Sequence, residues 1–173
     1  MIKEIHEQPK AVHDTINSVV KDGAIDLSEV GLTEEQIKNI SQIYIVACGS
    51  AYHVGVACQY VFEDLAEIPV RVELASEFRY RKMVLDPNGL VIIVSQSGET
   101  ADSLAALRLA KKKGVKTLGI VNVVGSSIAR EADNSFLYAC RTRDCSSNDK
   151  GIQHTAYCRI LSGCSVCKGQ RKH

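Results

Sequence analysis

The sequence has no apolar run approaching the roughly 20 residues that cross a bilayer, and its opening, MIKEIHEQPK, lacks the apolar centre of a secretory signal. A cytoplasmic protein with no membrane partner is therefore expected. It has no G-x-G-x-x-G after its first strand-like run and no G-x-x-x-x-G-K-[ST] anywhere, which argues against dinucleotides and nucleoside triphosphates as ligands. It also carries no large charge of either sign: 21 Lys/Arg stand against 20 Asp/Glu, a net of +1. No nucleic-acid partner is expected.

The 173 residues are 45% hydrophobic and 24% charged, enough for one globular domain with a real core. The near-neutral total hides a break in composition. From Arg141 onward there are seven Lys/Arg against two Asp/Glu, and four of the seven cysteines (Cys145, Cys158, Cys164, Cys167) fall there too. Residues 1–140 and 141–173 therefore read as two units.

The first unit opens with two helical segments. KEIHEQPKAVHDTINSVV spaces Ile5, Val12, Ile16, Val19 and Val20 as an amphipathic helix that Pro9 starts or interrupts. LTEEQIKNI is a second, with Thr33 as N-cap and Gln36 completing a capping box. Short apolar runs then alternate with helical stretches. Strands are expected at 43–47, 70–75, 90–95, 116–122 and 135–139, with helices at 51–68, 100–114 and 126–132. The helix at 100–114 ends in lysines and Gly114, as the dipole and a glycine C-cap favour. Continuously apolar strands separated by helices indicate an α/β fold, an open parallel sheet with helices on both faces, preceded by the N-terminal helices.

In such a sheet ligands sit beyond the carboxyl ends of the strands. Three loops there are rich in glycine and hydroxyls: CGSAYH, SQSGETADS and NVVGSS. In the second, Ser95, Ser97 and Thr100 supply hydroxyls, Gly98 lets backbone amides approach an anion, and the helix starting near Thr100 offers free N–H groups and a positive dipole end. That is a phosphate cradle without a lysine. The other reading is that the hydroxyls only cap the helix and the glycine only turns the chain. A small phosphorylated ligand suits the loop better than a nucleotide. Cys48 and Cys58 read as reduced packing residues, His53 as a helix-surface side chain, and Glu99 is accounted for by the helix dipole.

The blocks ACGSAYH, ELASEFRYR, SQSGETADSLAALRLAKKKG and NVVGSSIAREAD, in this order, resemble the first sugar isomerase (SIS) domain of the glutamine–fructose-6-phosphate aminotransferases. The resemblance runs from about Ile2 to Cys140 and implies a flavodoxin-like SIS sandwich that binds a hexose phosphate, fructose 6-phosphate or glucosamine 6-phosphate. It implies that Ser95, Gln96, Ser97 and Thr100, with Gly98 between them, hold the phosphate, and that Gly49 and Ser50 line the same pocket. Where this family commonly has threonine and serine after CG, this chain has Ser50 and Ala51, so a hydroxyl is missing at position 51. The resemblance also implies a homodimer with ELASEFRYR near its interface, although Glu77, Arg79 and Arg81 equally read as a surface ion-pair cluster. No cofactor, metal ligand or catalytic residue is implied, because the glutaminase part and the second SIS domain, which carries the Schiff-base lysine, do not match this chain. The expectation is a domain that binds without turnover; the alternative is a stand-alone SIS module that senses a phosphosugar and regulates a partner.

The resemblance leads one to expect, after SFLYAC, a loop over the sugar and a long apolar helix. The chain instead reads RTRDCSSNDKGIQHTAYCRILSGCSVCKGQRKH. With codons AGC AAC GAC AAA GGC ATA for Ser147 to Ile152 and the C of Gln153, a one-base shift gives GCA ACG ACA AAG GCA TAC, Ala-Thr-Thr-Lys-Ala-Tyr, as the family has. Residues 141–173 are thus read as an out-of-frame, disordered tail, which the gene sequence across the codon for Cys140 decides. Cys164-x-x-Cys167, with His154, Cys158 and His173, lacks a second clean pair, so no metal site is expected.

Overall fold

The structure, a computed structural model, describes residues 30–137 throughout, with scattered positions between residues 6 and 25. The first expected helix falls largely, and the tail after Cys140 wholly, outside the described residues. Two short strands, β1 (Val20–Lys21) and β2 (Ala24–Ile25), pair antiparallel. Helix α1 (Glu34–Lys38) follows, with the expected cap: Gln36 N–H donates to Thr33 Oγ1 at 3.2 Å and Thr33 N–H to Gln36 Oε1 at 3.1 Å.

The body is β3 (Gln42–Ala47), α2 (Ser50–Ala66), β4 (Val70–Leu74), α3 (Ala75–Tyr80), β5 (Gly89–Ser95), α4 (Ala101–Lys112), β6 (Lys116–Val121), α5 (Ser127–Glu131) and β7 (Asn134–Leu137). The five longer strands form one sheet in the order β4-β3-β5-β6-β7, with every neighbouring pair parallel. This is the expected open α/β sheet.

Alternation along the strands distributes the core over both faces. Ile43, Ile45, Leu90, Ile92, Leu118 and Ile120 pack with Val54, Cys58 and Phe62 of α2 and with Ile37 and Ile40. Tyr44, Val46, Val91, Ile93 and Val121 pack on the other face with Phe78 of α3, Ala106, Leu107 and Ala110 of α4, and Ile128 of α5. All seven residues of β5 are buried, as befits a central strand covered on both faces.

Helix ends follow local chemistry. Helix α2 stops where Glu67 turns left-handed (φ 54°), its N–H bonded to Glu63 O, with Pro69 just beyond. Helix α4 ends in Lys111 and Lys112 and then Gly114 at φ 74°, with Val115 N–H reaching back to Ala110 O. Helix α3 was not expected: ASEFRY follows β4 with no turn residue between them, so the sequence carries no boundary signal there.

Strand β7 is fastened by a reciprocal clasp. Thr117, fully buried, donates its N–H (3.0 Å) and its hydroxyl (2.8 Å) to Asp133 Oδ2, while Asp133 N–H donates to Thr117 Oγ1 (3.0 Å). Burial raises the Asp133 pKa, but the Thr117 and Lys111 hydrogen bonds outweigh it and hold the carboxyl below its ordinary value. A depressed carboxyl pKa stabilises the fold above the unfolded value, about 4, and that contribution is lost as pH falls through the native one. Asp133→Ala should cost about 1–3 kcal/mol in denaturant unfolding, since it strands the buried Thr117 donors. Asp133→Asn should remove this carboxyl's share of the acid-dependent loss, and an unchanged acid profile would show that the clasp carries no ionic stabilisation.

Candidate functional site

The strand order places a topological switch between β3 and β5: the chain leaves β3 for β4 on one side and returns to β5 on the other. In parallel register Ala47 lies opposite Val94, and Ser95 opposite Val121. The loops leaving β3, β5 and β6 therefore emerge side by side at the carboxyl edge, where doubly wound folds bind ligands. A shallow depression lined by Leu32, Gln36, Ile40, Asn88, Leu90 and Lys116 lies at the opposite, amino edge. It gathers no titratable cluster, and the hydroxyl-rich loops are not part of it.

Two helices begin at the switch without a side-chain cap. Gly49 precedes α2 at φ 57°, ψ −133°, a conformation suited to glycine, and makes no cap bond. Thr100 precedes α4 and its side chain makes none either. First-turn amides have no intrahelical acceptor, so both ends present donors and positive dipole ends to the same edge. The capping reading of Thr100 is thus not realised.

The loop after β5 is folded on itself. Gly98 N–H donates to Ser95 Oγ at 3.1 Å, and Glu99 N–H to Ser97 Oγ at 3.3 Å. Ser95 Oγ lies 3.4 Å from Thr100 Oγ1. A hydroxyl that accepts from the backbone still has its own hydrogen to give, so Ser97 keeps a donor, while between Ser95 and Thr100 either hydroxyl can donate to the other. Ser95 is buried, Ser97 exposed, and Thr100 half-buried. Gln96 anchors the loop through its carbonyl, which accepts from Asn122 N–H at 3.2 Å. Gly98 sits at φ 66°, and a Cβ there would come within 2.2 Å of Ser126 Oγ. The backbone conformation and the close approach of Ser126 both require glycine.

Among the described residues, two buried hydroxyls lack a hydrogen-bond partner, Ser50 Oγ and Ser126 Oγ. Ser50 opens α2 beside the cradle. Ala51, where a hydroxyl is missing, turns its methyl against the core. Cys48 is half-buried and accepts a weak contact from Ser103 Oγ at 3.8 Å, which ties the end of β3 to the first turn of α4. His53 is exposed on α2, edge-on to the Tyr52 ring. Arg81 pairs with Glu73 at 3.0 Å and Arg79 with Asp102 at 2.7 Å, so the ELASEFRYR arginines make surface ion pairs.

The sequence places the third loop at this edge but carries no sign of its contact with the cradle. Ser127 gives its N–H (2.6 Å) and hydroxyl (2.7 Å) to the two oxygens of Glu99, and Ile128 N–H donates to Gly98 O at 3.0 Å. The Ser127 hydroxyl, then its amide, hold the Glu99 carboxyl below the usual carboxylate range. The helix dipole alone does not account for Glu99. The only signal in the sequence, the Gly-Ser-Ser of the third loop, marks the loop and not the contact.

A five-stranded all-parallel sheet with helices on both faces, and with glycine- and hydroxyl-rich loops at its switch point, defines an open α/β domain. Residues 36–143 match the SIS domain family, and the chain belongs to that family. It is similar to the isomerising glutamine–fructose-6-phosphate aminotransferase of Clostridium tetani, 56% identical over 135 residues, covering 78% of this chain and 22% of that protein. The enzyme of that name from Yersinia pseudotuberculosis is 51% identical over 139 residues, covering 79% and 23%. The chain thus spans about a fifth of the length of these relatives. Among solved structures, the C-terminal domain of glucosamine-fructose-6-phosphate aminotransferase from Francisella tularensis superposes with TM-score 0.88 at 36% identity, covering 97% of this chain and 48% of that one. Glucosamine-6-phosphate deaminase from Thermotoga maritima shares the fold, with TM-score 0.62 at 22% identity, covering 95% and 48%. No helix among the described residues is long and apolar enough to cross a membrane.

Gly98→Ala combines a left-handed backbone with a steric clash, whereas a Cβ at Gly125 (φ 73°) meets nothing within 4 Å. Gly98→Ala should therefore cost about 2–4 kcal/mol and Gly125→Ala about 1. Denaturant unfolding of the two variants measures the difference; equal costs would mean that Ser126 gives way freely.

Proposed function

We propose that this chain is the hexose-phosphate-binding SIS domain of an isomerising glutamine–fructose-6-phosphate aminotransferase. The phosphate is held by the hydroxyls of Ser95, Ser97 and Thr100 and by the amides around Gln96 and Gly98, with Gly49 and Ser50 closing the second side. The observation that carries the reading is that two uncapped helix starts leave adjacent strands at the β3/β5 switch, one of them from a loop with three hydroxyls. The identity to curated aminotransferases supports the substrate class.

The domain acts here as a binding unit. A base able to take the sugar C2 proton is not supplied by the carboxylates nearest the cradle, since Glu99 is engaged by Ser127 and Asp102 by Arg79. Isomerisation and amino transfer fall to the other parts of the longer enzyme. Residues 1–140 form the binding domain, and 141–173 are the out-of-frame tail; the match to the family, which ends at 143 near the change of composition, supports that division. A homodimer is supported by the exposed Tyr80 (78%) at the end of α3 and Val84 (86%) just after it.

A ligand that binds only the folded state stabilises it by about 2.7 kcal/mol at a hundredfold excess over its dissociation constant, and so raises the melting temperature. Fructose 6-phosphate and glucosamine 6-phosphate should stabilise the 173-residue chain, and unphosphorylated fructose should not. Ser97→Ala and Thr100→Val should each shrink the shift. Absence of any shift with both sugar phosphates contradicts the reading.

A further inference from the structure

A negative side chain inside a phosphate-binding loop is a liability unless something turns it away. The cradle has two, Glu99 within the loop and Asp102 in the first turn of α4. Asp102 is drawn outward by Arg79, with Arg79 Nη1 at 2.7 Å from Oδ1. Glu99 reaches across to the start of α5, where both of its oxygens are taken by one residue 28 positions away: Ser127 N–H at 2.6 Å and Ser127 Oγ at 2.7 Å. On the other side of Ser127, Arg130 donates to Ser127 Oγ at 3.3 Å and to the Gly125 carbonyl, which holds the turn itself.

This bidentate bond is the outermost of three ties that join the cradle to the β6 side. Asn122 N–H to Gln96 O and Ile128 N–H to Gly98 O are the others. Together they bracket Gln96, Gly98 and Glu99, and Ser126 closes the space behind Gly98. The backbone of the cradle is thus set by the neighbouring turn as much as by its own strand and helix.

We propose that Glu99 is a positioning residue for anion binding: its carboxylate straps the phosphate loop to Ser127, and so fixes the Gly98–Thr100 backbone with its amides and hydroxyls facing the ligand while its own charge faces away. This deepens the sugar-phosphate reading and rests on it. The strap makes a prediction opposite in sign to simple electrostatics. Removing a negative charge beside an anion site tightens binding, whereas loosening a preorganised loop weakens it.

The test is titration of the full 173-residue chain with inorganic phosphate and with fructose 6-phosphate, followed by calorimetry. Asp102→Asn, which removes a charge without touching the strap, should bind as tightly as the wild type or more tightly. Glu99→Ala should bind about three- to tenfold more weakly, the scale of one net hydrogen bond, with Glu99→Gln between the two. Ser127→Ala removes the hydroxyl half of the bond and should weaken binding in the same direction. The Glu99→Ala/Ser127→Ala double variant should bind no worse than Glu99→Ala alone. Melting of each unliganded variant separates a local from a global loss. Wild-type binding with Glu99→Ala equal or tighter overturns the proposal and leaves the function standing. Failure of the wild type to bind either probe overturns the proposed function, and the strap's role falls with it.

Discussion

The parallel pairing of β3 with β5 is the constraint on which the site depends. It sets Ala47 against Val94, and thereby fixes where α2 and α4 begin relative to each other. A helix start is a weak anion site in isolation, because water competes for its amides and the dipole is screened within a turn. Two starts arriving from adjacent strands, neither capped by its own side chain, aim their donors at one place, and the buried strands beneath prevent them from drifting apart. The hydrophobic core therefore does more than stabilise the chain: the apolar packing of Ile92 and Val94 on one face and Ile93 on the other sets the spacing of the polar edge.

Charge placement follows from the same geometry. No lysine or arginine enters the hydroxyl loop, so its positive character comes from amides and dipoles, which are already oriented and lose little freedom on binding. The acidic side chains at this edge are each committed elsewhere, Glu99 to Ser127 and Asp102 to Arg79. An edge built this way suits a compact anion such as a sugar phosphate. A triphosphate would call for the counter-charges that a nucleotide loop supplies.

Much of this was legible in the sequence because the signals were local. The apolar runs IYIVA and LVIIV bounded by glycines, the Thr33–Gln36 capping box, and the Lys111, Lys112 and Gly114 stop all act within a few residues of themselves. The clustering of Ser95, Gln96, Ser97, Gly98 and Thr100 at one loop was equally local. What was not legible depends on distant partners. Helix α3 follows β4 with no punctuating residue, and its Phe78 is made helical by burial against α4. The reach of Glu99 to Ser127, and the closeness of Ser126 to Gly98, exist only once β5 and β6 are paired. Local chemistry therefore located the loop, and tertiary pairing determined how it is held.

The most direct measurement is a titration of the isotopically labelled 173-residue chain with fructose 6-phosphate, followed through backbone amide chemical shifts. Convergence of α2 and α4 on the phosphate predicts the largest changes at the amides of residues 49–52 and 96–103, with a smaller response at Ser126 and Ser127. Shifts confined to the opposite edge, around Leu32, Asn88 and Lys116, or none at saturating ligand, would contradict it.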